Sequence, residues 1–231
     1  MRSIINEPRL KKRADRGRRI MTAGIVMLVF SVFLSLNRQT IVAAYVVMLA
    51  GLILVNIGST VGGKLVRQTR PDQILDRALK GLDHGSRLYS YLLPAEHVLL
   101  SQAGLITITI RVQDGQISCN GDKWRRRLTP GLLLRALFEA PLGNPGRLAR
   151  NDAAAVGRWV ASHLPDRCAQ VPVQPLIVFV HPKAVLQLRD PAVPAVTLSD
   201  LKAYLRQATE NKAVDHPTLK SLTDLCDELA A

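Results

Sequence analysis

The chain has 231 residues, enough for one globular domain and a short membrane anchor. Its formal net charge is +13, from 31 Lys and Arg against 18 Asp and Glu, yet residues 71–231 hold 19 basic and 16 acidic side chains. This near balance argues against a nucleic-acid-binding protein that is basic throughout. Cys119, Cys168 and Cys226 form no CxxC pair, which argues against a disulfide scaffold or a zinc site and favours a reducing compartment.

Residues 1–19 form a basic arm, with eight Lys or Arg against two acids. Such a cluster beside an apolar segment is typical of a topology determinant that stays in the cytoplasm. Binding of the arm to anionic lipid, or to RNA or DNA, is the alternative interpretation.

Two uncharged apolar segments follow, at residues 20–36 and 41–61, and each has the length that a spanning helix needs. The four residues between them allow only a tight turn, so residues 20–63 are predicted to form a two-helix transmembrane hairpin. A cleaved signal peptide is disfavoured, because no small-x-small cleavage site follows the first segment and a second apolar segment comes at once. A buried hairpin in a soluble protein is the other alternative.

The flanks of these segments predict their orientation. Lys and Arg number eight before the first segment, one at the turn and three after the second. By the positive-inside rule we expect a multi-pass protein of the cell membrane with both termini in the cytoplasm.

Glycines occur in or near the second segment: Gly51, Gly58, Gly62 and Gly63. Gly58 and Gly62 have the small-xxx-small spacing found where helices pack closely. The simpler interpretation is favoured, namely that glycine is common in transmembrane helices.

Residues 71–231 are predicted to form a cytoplasmic α/β domain, with α+β as the alternative. Apolar periodicity and turn residues predict its elements. In chain order they are a helix at 71–82, strands at 88–93, 97–100 and 105–112, a hairpin turn at Asp114-Gly115, a strand at 116–119, a turn at Asn120-Gly121, helices within 130–164, strands at 171–180 and 185–188, and helices at 199–208 and 218–229. The run Leu176 to Val180 is apolar throughout, as in a strand buried on both faces.

Parts of this domain resemble the nuclease-related domain (NERD) family, over residues 71–208. The similar features are Glu96-His97 and the apolar run after it, the Gly104 turn, the strand Leu105 to Arg111, Asp114-Gly115, Trp124, Asn144-Pro145 at a helix start and the strand Leu176 to Val180. NERD domains are similar to nucleases with a PD-(D/E)xK core, so the resemblance implies a membrane-anchored, restriction-endonuclease-like α/β domain. In such nucleases carboxylates hold a divalent metal such as Mg²⁺, and a lysine orients or activates the attacking water.

The resemblance places vestigial catalytic positions at Asp72, Glu96, Thr109 and Arg111. Thr109 stands where the family has a metal-binding Glu, and a hydroxyl is not an anionic ligand. Arg111 stands where the family has Lys, and its pKa is too high for proton transfer. The departures predict that Mg²⁺-dependent cleavage is lost, unless Asp114 substitutes in a displaced site.

The densest basic cluster of the domain is Lys123-Trp124-Arg125-Arg126-Arg127, which has the composition of a nucleic-acid or lipid contact. The alternative, favoured by the modest charge of the domain, is a solvated strand end with Trp124 packed inward and the arginines outward. His97 is expected to be packed or hydrogen-bonded on its strand, and Cys119 to be a small core residue.

Three functions remain open from the sequence. The first is a catalytically inactive, membrane-tethered nuclease-related protein that binds nucleic acid, a protein partner or further copies of itself. The second is an active membrane-bound nuclease that uses Asp72, Glu96 and Asp114 with Mg²⁺. The third is a structural component of a membrane assembly.

Overall fold

The computed structural model describes residues 2–5, 7–66, 71–82, 85–127, 141–166, 170–210 and 214–229. The chain divides into two compact units, one formed by residues 7–71 and the other by residues 1–6 together with 72–231. The first unit consists of two long helices, and the second is an α/β domain with mixed sheets.

The first unit is a helical hairpin of α1 (Glu7–Ser35) and α2 (Ile41–Val66). The Thr40 hydroxyl closes the turn between them by donating to the Leu34 carbonyl at 2.6 Å. The stretches Asp15–Ser35 and Ile41–Gly58 are long and apolar enough to cross a membrane. Both predicted apolar helices are therefore present, and α1 also continues back through most of the basic arm, which the sequence pattern had not assigned to a helix.

Small residues spaced seven apart line the interface between α1 and α2, where Gly24, Ser31, Ala44, Gly51 and Gly58 are buried. A Cβ atom on Gly58 would lie 2.5 Å from the Met21 backbone nitrogen, and one on Gly24 would lie 2.7 Å from that of Val55. The two backbones approach too closely for a side chain at these positions.

The expectation that the glycines of the second helix are incidental is therefore wrong for Gly51 and Gly58. Their spacing is seven residues, the repeat that keeps one seam of two helices in contact, rather than the four of the small-xxx-small pair. The surroundings of Gly62 and Gly63 lie outside the described part of the structure.

The second unit contains nine described strands and four described helices. The strands are β1 (Arg2–Ile5), β2 (Arg87–Ser90), β3 (His97–Ser101), β4 (Gly104–Arg111), β5 (Gly115–Asn120), β6 (Lys123–Arg126), β7 (Val173–Phe179), β8 (Ala184–Arg189) and β9 (Ala195–Thr197). The helices are α3 (Pro71–Ala78), α4 (Pro145–His163), α5 (Leu201–Glu210) and α6 (His216–Glu228).

The strands form two sheets. The main sheet has the order β1-β2-β3-β4-β7-β9, in which β2, β3 and β4 are antiparallel and the remaining pairs are parallel. The smaller sheet has the order β6-β5-β8, with β5 antiparallel to β6 and parallel to β8. The prediction of an α/β domain is confirmed at this level.

The chain changes sheet between β4 and β5. The prediction that Asp114-Gly115 is a hairpin turn is wrong, since β5 does not pair with β4. Both edges of β4 are already filled by β3 and β7, so the chain leaves the main sheet and begins the smaller one at Gly115, whose φ of 81° favours glycine. The Asn120-Gly121 turn does join β5 to β6, as predicted.

Helices cover both faces of the main sheet. Leu75 of α3 and Leu205 of α5 pack with Ile106 on one face, and Val156 of α4 packs with Leu105 on the other. Neighbouring residues of β4 thus enter opposite cores, as strand alternation requires. The run Leu176 to Val180 is buried throughout, as predicted.

Some predicted elements differ in extent. β1 and β9 were not predicted, and the strand predicted at 88–93 ends at Ser90, because Tyr91 adopts a φ of 62°. The helix predicted for residues 130–140 and the cysteine Cys168 lie outside the described residues.

Candidate functional site

Strand β4 directs a row of polar side chains towards helix α4. Thr107, Thr109 and Arg111 alternate with Ile106 and Ile108 of the opposite core, so they lie on the same face as Leu105. The Thr109 hydroxyl donates to Oδ2 of Asp152 at 3.0 Å, and Asp152 belongs to α4. The contact joins the central strand of the sheet to the helix that covers it.

The guanidinium of Arg111 lies next to this contact. Its Nε and Nη2 atoms are buried and have no hydrogen-bond partner among the described residues. Burial lowers the pKa of Arg111, while the negative charges of Asp152 and Glu96 oppose that effect. A partly buried cation under the electrostatic influence of two carboxylates is therefore the central feature of this cluster, which we call the Arg111 cluster: Glu96, Thr109, Arg111 and Asp152.

Glu96 reaches the cluster from the segment before β3. Its backbone carbonyl accepts from the Tyr91 nitrogen at 2.7 Å, which holds the loop between β2 and β3. Val98 pairs with Thr107, which brings the start of β3 towards the polar row of β4, and the charge of Glu96 acts on Arg111. The fold thus brings together three of the four positions that the family resemblance singled out. The fourth, Asp72, lies in the first turn of α3, and its side chain is outside the described part of the structure.

Asp114 has a different environment. Its carboxylate pairs with the Arg126 guanidinium, both side chains are less than a tenth exposed, and Arg126 Nε also donates to the Asp114 carbonyl at 2.9 Å. The pair links the start of β5 to β6 of the smaller sheet. Asp114 is therefore engaged in an internal ion pair rather than presented to a metal.

Asp152 was missed by the sequence reasoning, although a signal was present. It is the only acid in the 19 residues of α4. It also lies three residues after Ala149 and four before Val156, which are both buried, so it occupies the apolar face of an amphipathic helix. A lone carboxylate on such a face needs a partner, and here it has the Thr109 hydroxyl.

The Arg111 cluster does not fit the Mg²⁺ ion that the resemblance implies. Magnesium binds through several oxygen ligands in an octahedral arrangement. Among the residues that the structure describes, no three His, Cys, Asp or Glu side chains converge as metal ligands. The positive charge that interacts with Glu96 and Asp152 is instead the guanidinium of Arg111.

The basic cluster at residues 123–127 is divided between the two faces of β6. Trp124 is turned inward against Phe179, with ring centroids 6.0 Å apart, and Arg126 is turned inward to Asp114. Lys123, Arg125 and Arg127 are exposed. The prediction that Trp124 packs down is confirmed, whereas the prediction that all three arginines point outward is wrong for Arg126, because alternation sets it on the same side as Trp124.

Two further residues behave as predicted. His97 is 1% exposed, and its Nδ1 lies 3.0 Å from the Ser90 hydroxyl, so it is a packed and hydrogen-bonded strand residue. Cys119 is 2% exposed in the core of the smaller sheet.

Comparison with known proteins finds no relative of this chain. No family model matches the chain, no curated protein is significantly similar to it, and no solved structure matches it.

Proposed function

We propose that this protein spans the membrane twice and carries a nuclease-related domain that binds a ligand without cleaving it. The observation that supports the absence of cleavage is the Arg111 cluster, in which the charge of a guanidinium interacts with those of Glu96 and Asp152. The positions match those that the NERD resemblance assigns to the family's catalytic Glu and Lys. In this chain they hold Thr109 and Arg111.

Electrostatics explains why such a cluster would not cleave. An arginine stays protonated at any physiological pH, so it cannot act as the base that activates water. A fixed positive charge beside the two carboxylates repels a divalent cation. Thr109 offers a neutral oxygen, and its hydroxyl proton is already donated to Asp152. The side chains are arranged to stabilise one another.

A nuclease assay tests this proposal. The full chain in detergent is incubated with labelled DNA and RNA and with Mg²⁺, beside the variants Glu96→Gln, Asp152→Asn and Thr109→Glu/Arg111→Lys. We expect no cleavage by the wild type or by the two single variants. Cleavage gained by the double variant would support a nuclease fold that has lost its metal site.

Robust cleavage by the wild type that Glu96→Gln abolishes would overturn the proposal and establish an active nuclease. Cleavage that persists in Glu96→Gln and Asp152→Asn alike would point to a contaminant, since both variants remove a carboxylate of the cluster.

The membrane part of the proposal rests on the inverted packing of the hairpin. Its interface is made of glycine, serine and alanine, while large apolar side chains point outward: Val26, Phe33, Val42 and Leu49 are at least 60% exposed. In water this arrangement would be unfavourable, because each exposed apolar side chain would lose the free energy gained on burial. Lipid favours it, because close contact of small residues drives helix association where no hydrophobic effect acts between helices.

The sheet of the domain also bears on topology. Strand β1, just before α1, pairs in parallel with β2, which follows α2. Two paired strands lie on the same side of a bilayer, so the chain between them crosses it an even number of times, in keeping with two spans. The excess of Lys and Arg in both flanks supports the cytoplasm as that side.

Cysteine labelling in intact cells tests the topology. In a Cys168→Ser background, where the remaining Cys119 and Cys226 are buried, we expect Gln39→Cys to react with a membrane-impermeant thiol reagent. Lys12→Cys, which is exposed on α1, should react only after permeabilisation. The reverse pattern would contradict the orientation, and equal labelling of both sites in intact cells would contradict the two spans.

A further inference from the structure

The outer face of the smaller sheet is basic and contains no acid. Strands β5, β6 and β8 include no Asp or Glu at all. Four exposed cations lie on or beside this face: Lys123, Arg125, Arg127 and Arg189. Within the part of the chain that the structure describes, none of the four forms an ion pair. Their charge is therefore directed to solvent.

Neutral hydrogen-bonding side chains fill the centre of the face. Ser118 of β5 pairs with Arg125 on one side and with Gln187 on the other. Asn120 likewise pairs with Lys123 and with Arg189. Side chains on one face of a strand recur about every 6.7 Å, and neighbouring strands lie about 4.8 Å apart. The result is a small array of hydrogen-bonding side chains with cations on both outer strands.

Three acids adjoin these strands in sequence. Asp114 directly precedes β5 and is paired internally with Arg126. The other two lie in the turns at the opposite end of β5. Asp122, between β5 and β6, accepts from both terminal nitrogens of Arg150, at 3.0 and 2.7 Å, so its charge is offset from the opposite side of the turn. Asp190 follows β8 and is exposed. The array itself keeps a positive potential.

We infer that this surface, which we call the basic sheet face, binds the sugar-phosphate backbone of double-stranded nucleic acid. The inference gives the binding role proposed above a ligand and a location. Lys and Arg together with Ser, Asn and Gln are the side chains that contact phosphate and sugar oxygens. The face is thus complementary in charge and in hydrogen bonding to a duplex backbone.

The same side chains disfavour the other occupants. A single strand is held largely by base stacking on aromatic rings, and the one aromatic of these strands, Trp124, is turned inward. Insertion into lipid requires large apolar anchors, and the face exposes only Val185. The depression of about 490 Å³ on this face is open to solvent and is lined by Cys119 and by Ser, Asn, Gln, Lys and Arg side chains, whereas small molecules are usually held in enclosed, mostly apolar cavities.

The number of cations sets the expected strength. Each neutralised phosphate contributes about −0.9 to the slope of the logarithm of the binding constant against the logarithm of the salt concentration. Four contacts give a slope of about −3.6, so binding should weaken about a hundredfold between roughly 50 and 200 mM salt.

The experiment uses the full chain in nanodiscs of zwitterionic lipid, with a chelator present so that no cleavage interferes. Binding of a labelled duplex of about 20 base pairs is followed by fluorescence anisotropy across the salt series. We expect Arg125→Gln/Arg189→Gln to weaken binding at low salt at least tenfold and to halve the slope to about −1.8. Lys12→Gln/Arg16→Gln removes two exposed cations from the basic arm and is the matched control.

Unchanged duplex binding in Arg125→Gln/Arg189→Gln would overturn the inference, and so would a loss confined to the arm variant. Equal or tighter binding of a single strand of the same sequence would also overturn it. Association with protein-free anionic vesicles that depends on Arg125 and Arg189, with no duplex binding, would assign the face to lipid instead. These results are independent of the cleavage assay, so a failure here is distinguishable from a failure of the proposed function.

Discussion

The hairpin and the domain are packed by opposite rules within one chain. In the hairpin, the buried positions hold glycine, serine and alanine, and side chains such as Phe33 and Val42 point outward. In the domain, the buried positions hold large residues such as Tyr89, Leu99 and Phe179, all fully enclosed. This difference is the one that the proposed location of the hairpin in lipid and of the domain in water predicts.

The comparison also concerns charge. The described interface of the hairpin contains no ionisable side chain, whereas the domain buries Arg126 with Asp114 and partly buries Arg111, whose charge interacts with those of Glu96 and Asp152. Buried charges of this kind are tolerated when they are paired. Substitutions in the two regions should therefore destabilise the protein for different reasons.

Breaking the Arg126–Asp114 pair should cost most. Asp114→Asn would leave the Arg126 guanidinium buried without its counter-charge, and such a loss typically costs about 3–5 kcal/mol. The double variant Asp114→Asn/Arg126→Met removes the stranded charge and should recover more than half of that loss. Urea unfolding of the full chain in detergent, followed by tryptophan fluorescence, measures both. A double variant less stable than Asp114→Asn would contradict this account.

Truncating a leucine side chain to alanine should lower the stability of the domain much more than that of the hairpin. Leu99 is fully buried in the domain, so Leu99→Ala should lower the free energy of unfolding by about 2–5 kcal/mol. Leu52 is 59% exposed on the hairpin, so Leu52→Ala should leave the helix pair close to unchanged. Thermal unfolding by circular dichroism compares them. An equal loss in the two variants would show that the outward face of the hairpin is buried against protein.

The elements that sequence predicted best are those fixed by local composition. Two uncharged apolar segments are sufficient to predict the hairpin helices, and the unbroken run at Leu176 to Val180 is sufficient to predict a strand buried on both faces. The exit from the main sheet after β4 was mispredicted, because Asp114-Gly115 carries the same local signal whether the next strand returns or starts a new sheet. Only the occupancy of both edges of β4 decides between the two.

The candidate site was predictable in part. The family resemblance indicated Glu96, Thr109 and Arg111, which the fold brings together, but not Asp152, whose role depends on how α4 crosses β4. Arg189 was missed for the same reason, because β8 reaches β5 through a parallel pairing of distant segments. Long-range pairing of this kind leaves no mark in the local pattern.

Replacing a glycine by alanine should destabilise the hairpin but stabilise the domain. At Gly58 a Cβ would lie 2.5 Å from a backbone nitrogen, so Gly58→Ala should destabilise the hairpin by about 1–3 kcal/mol. At Gly157 in α4 a Cβ meets nothing within 4 Å, so Gly157→Ala should stabilise the domain by about 0.5–1 kcal/mol through helix propensity. Thermal midpoints of the two variants test the pair. A neutral Gly58→Ala would contradict the close approach of the two helix backbones at Gly58 and Met21.

The effect that vanishes at neutral pH distinguishes the two regions once the pH is raised. Burial, reinforced by the charge of Asp227, raises the pKa of the Cys226 thiol from 9.0 to about 12. Since the folded domain favours the neutral thiol, its contribution to stability is complete below about pH 9 and is lost progressively as the pH rises towards about 12, by at most about 1.4 kcal/mol per pH unit.

The thermal midpoint of the wild type should therefore fall more steeply above pH 9 than that of Cys226→Ala, although the variant starts lower because a buried sulfur is lost. Burial also raises the pKa of Tyr89, so some alkaline decline persists in the variant. The described hairpin interface contains no titratable side chain, so α1 and α2 should keep their helical signal over the same range. Parallel curves for wild type and Cys226→Ala would show that the thiol is hydrated rather than enclosed.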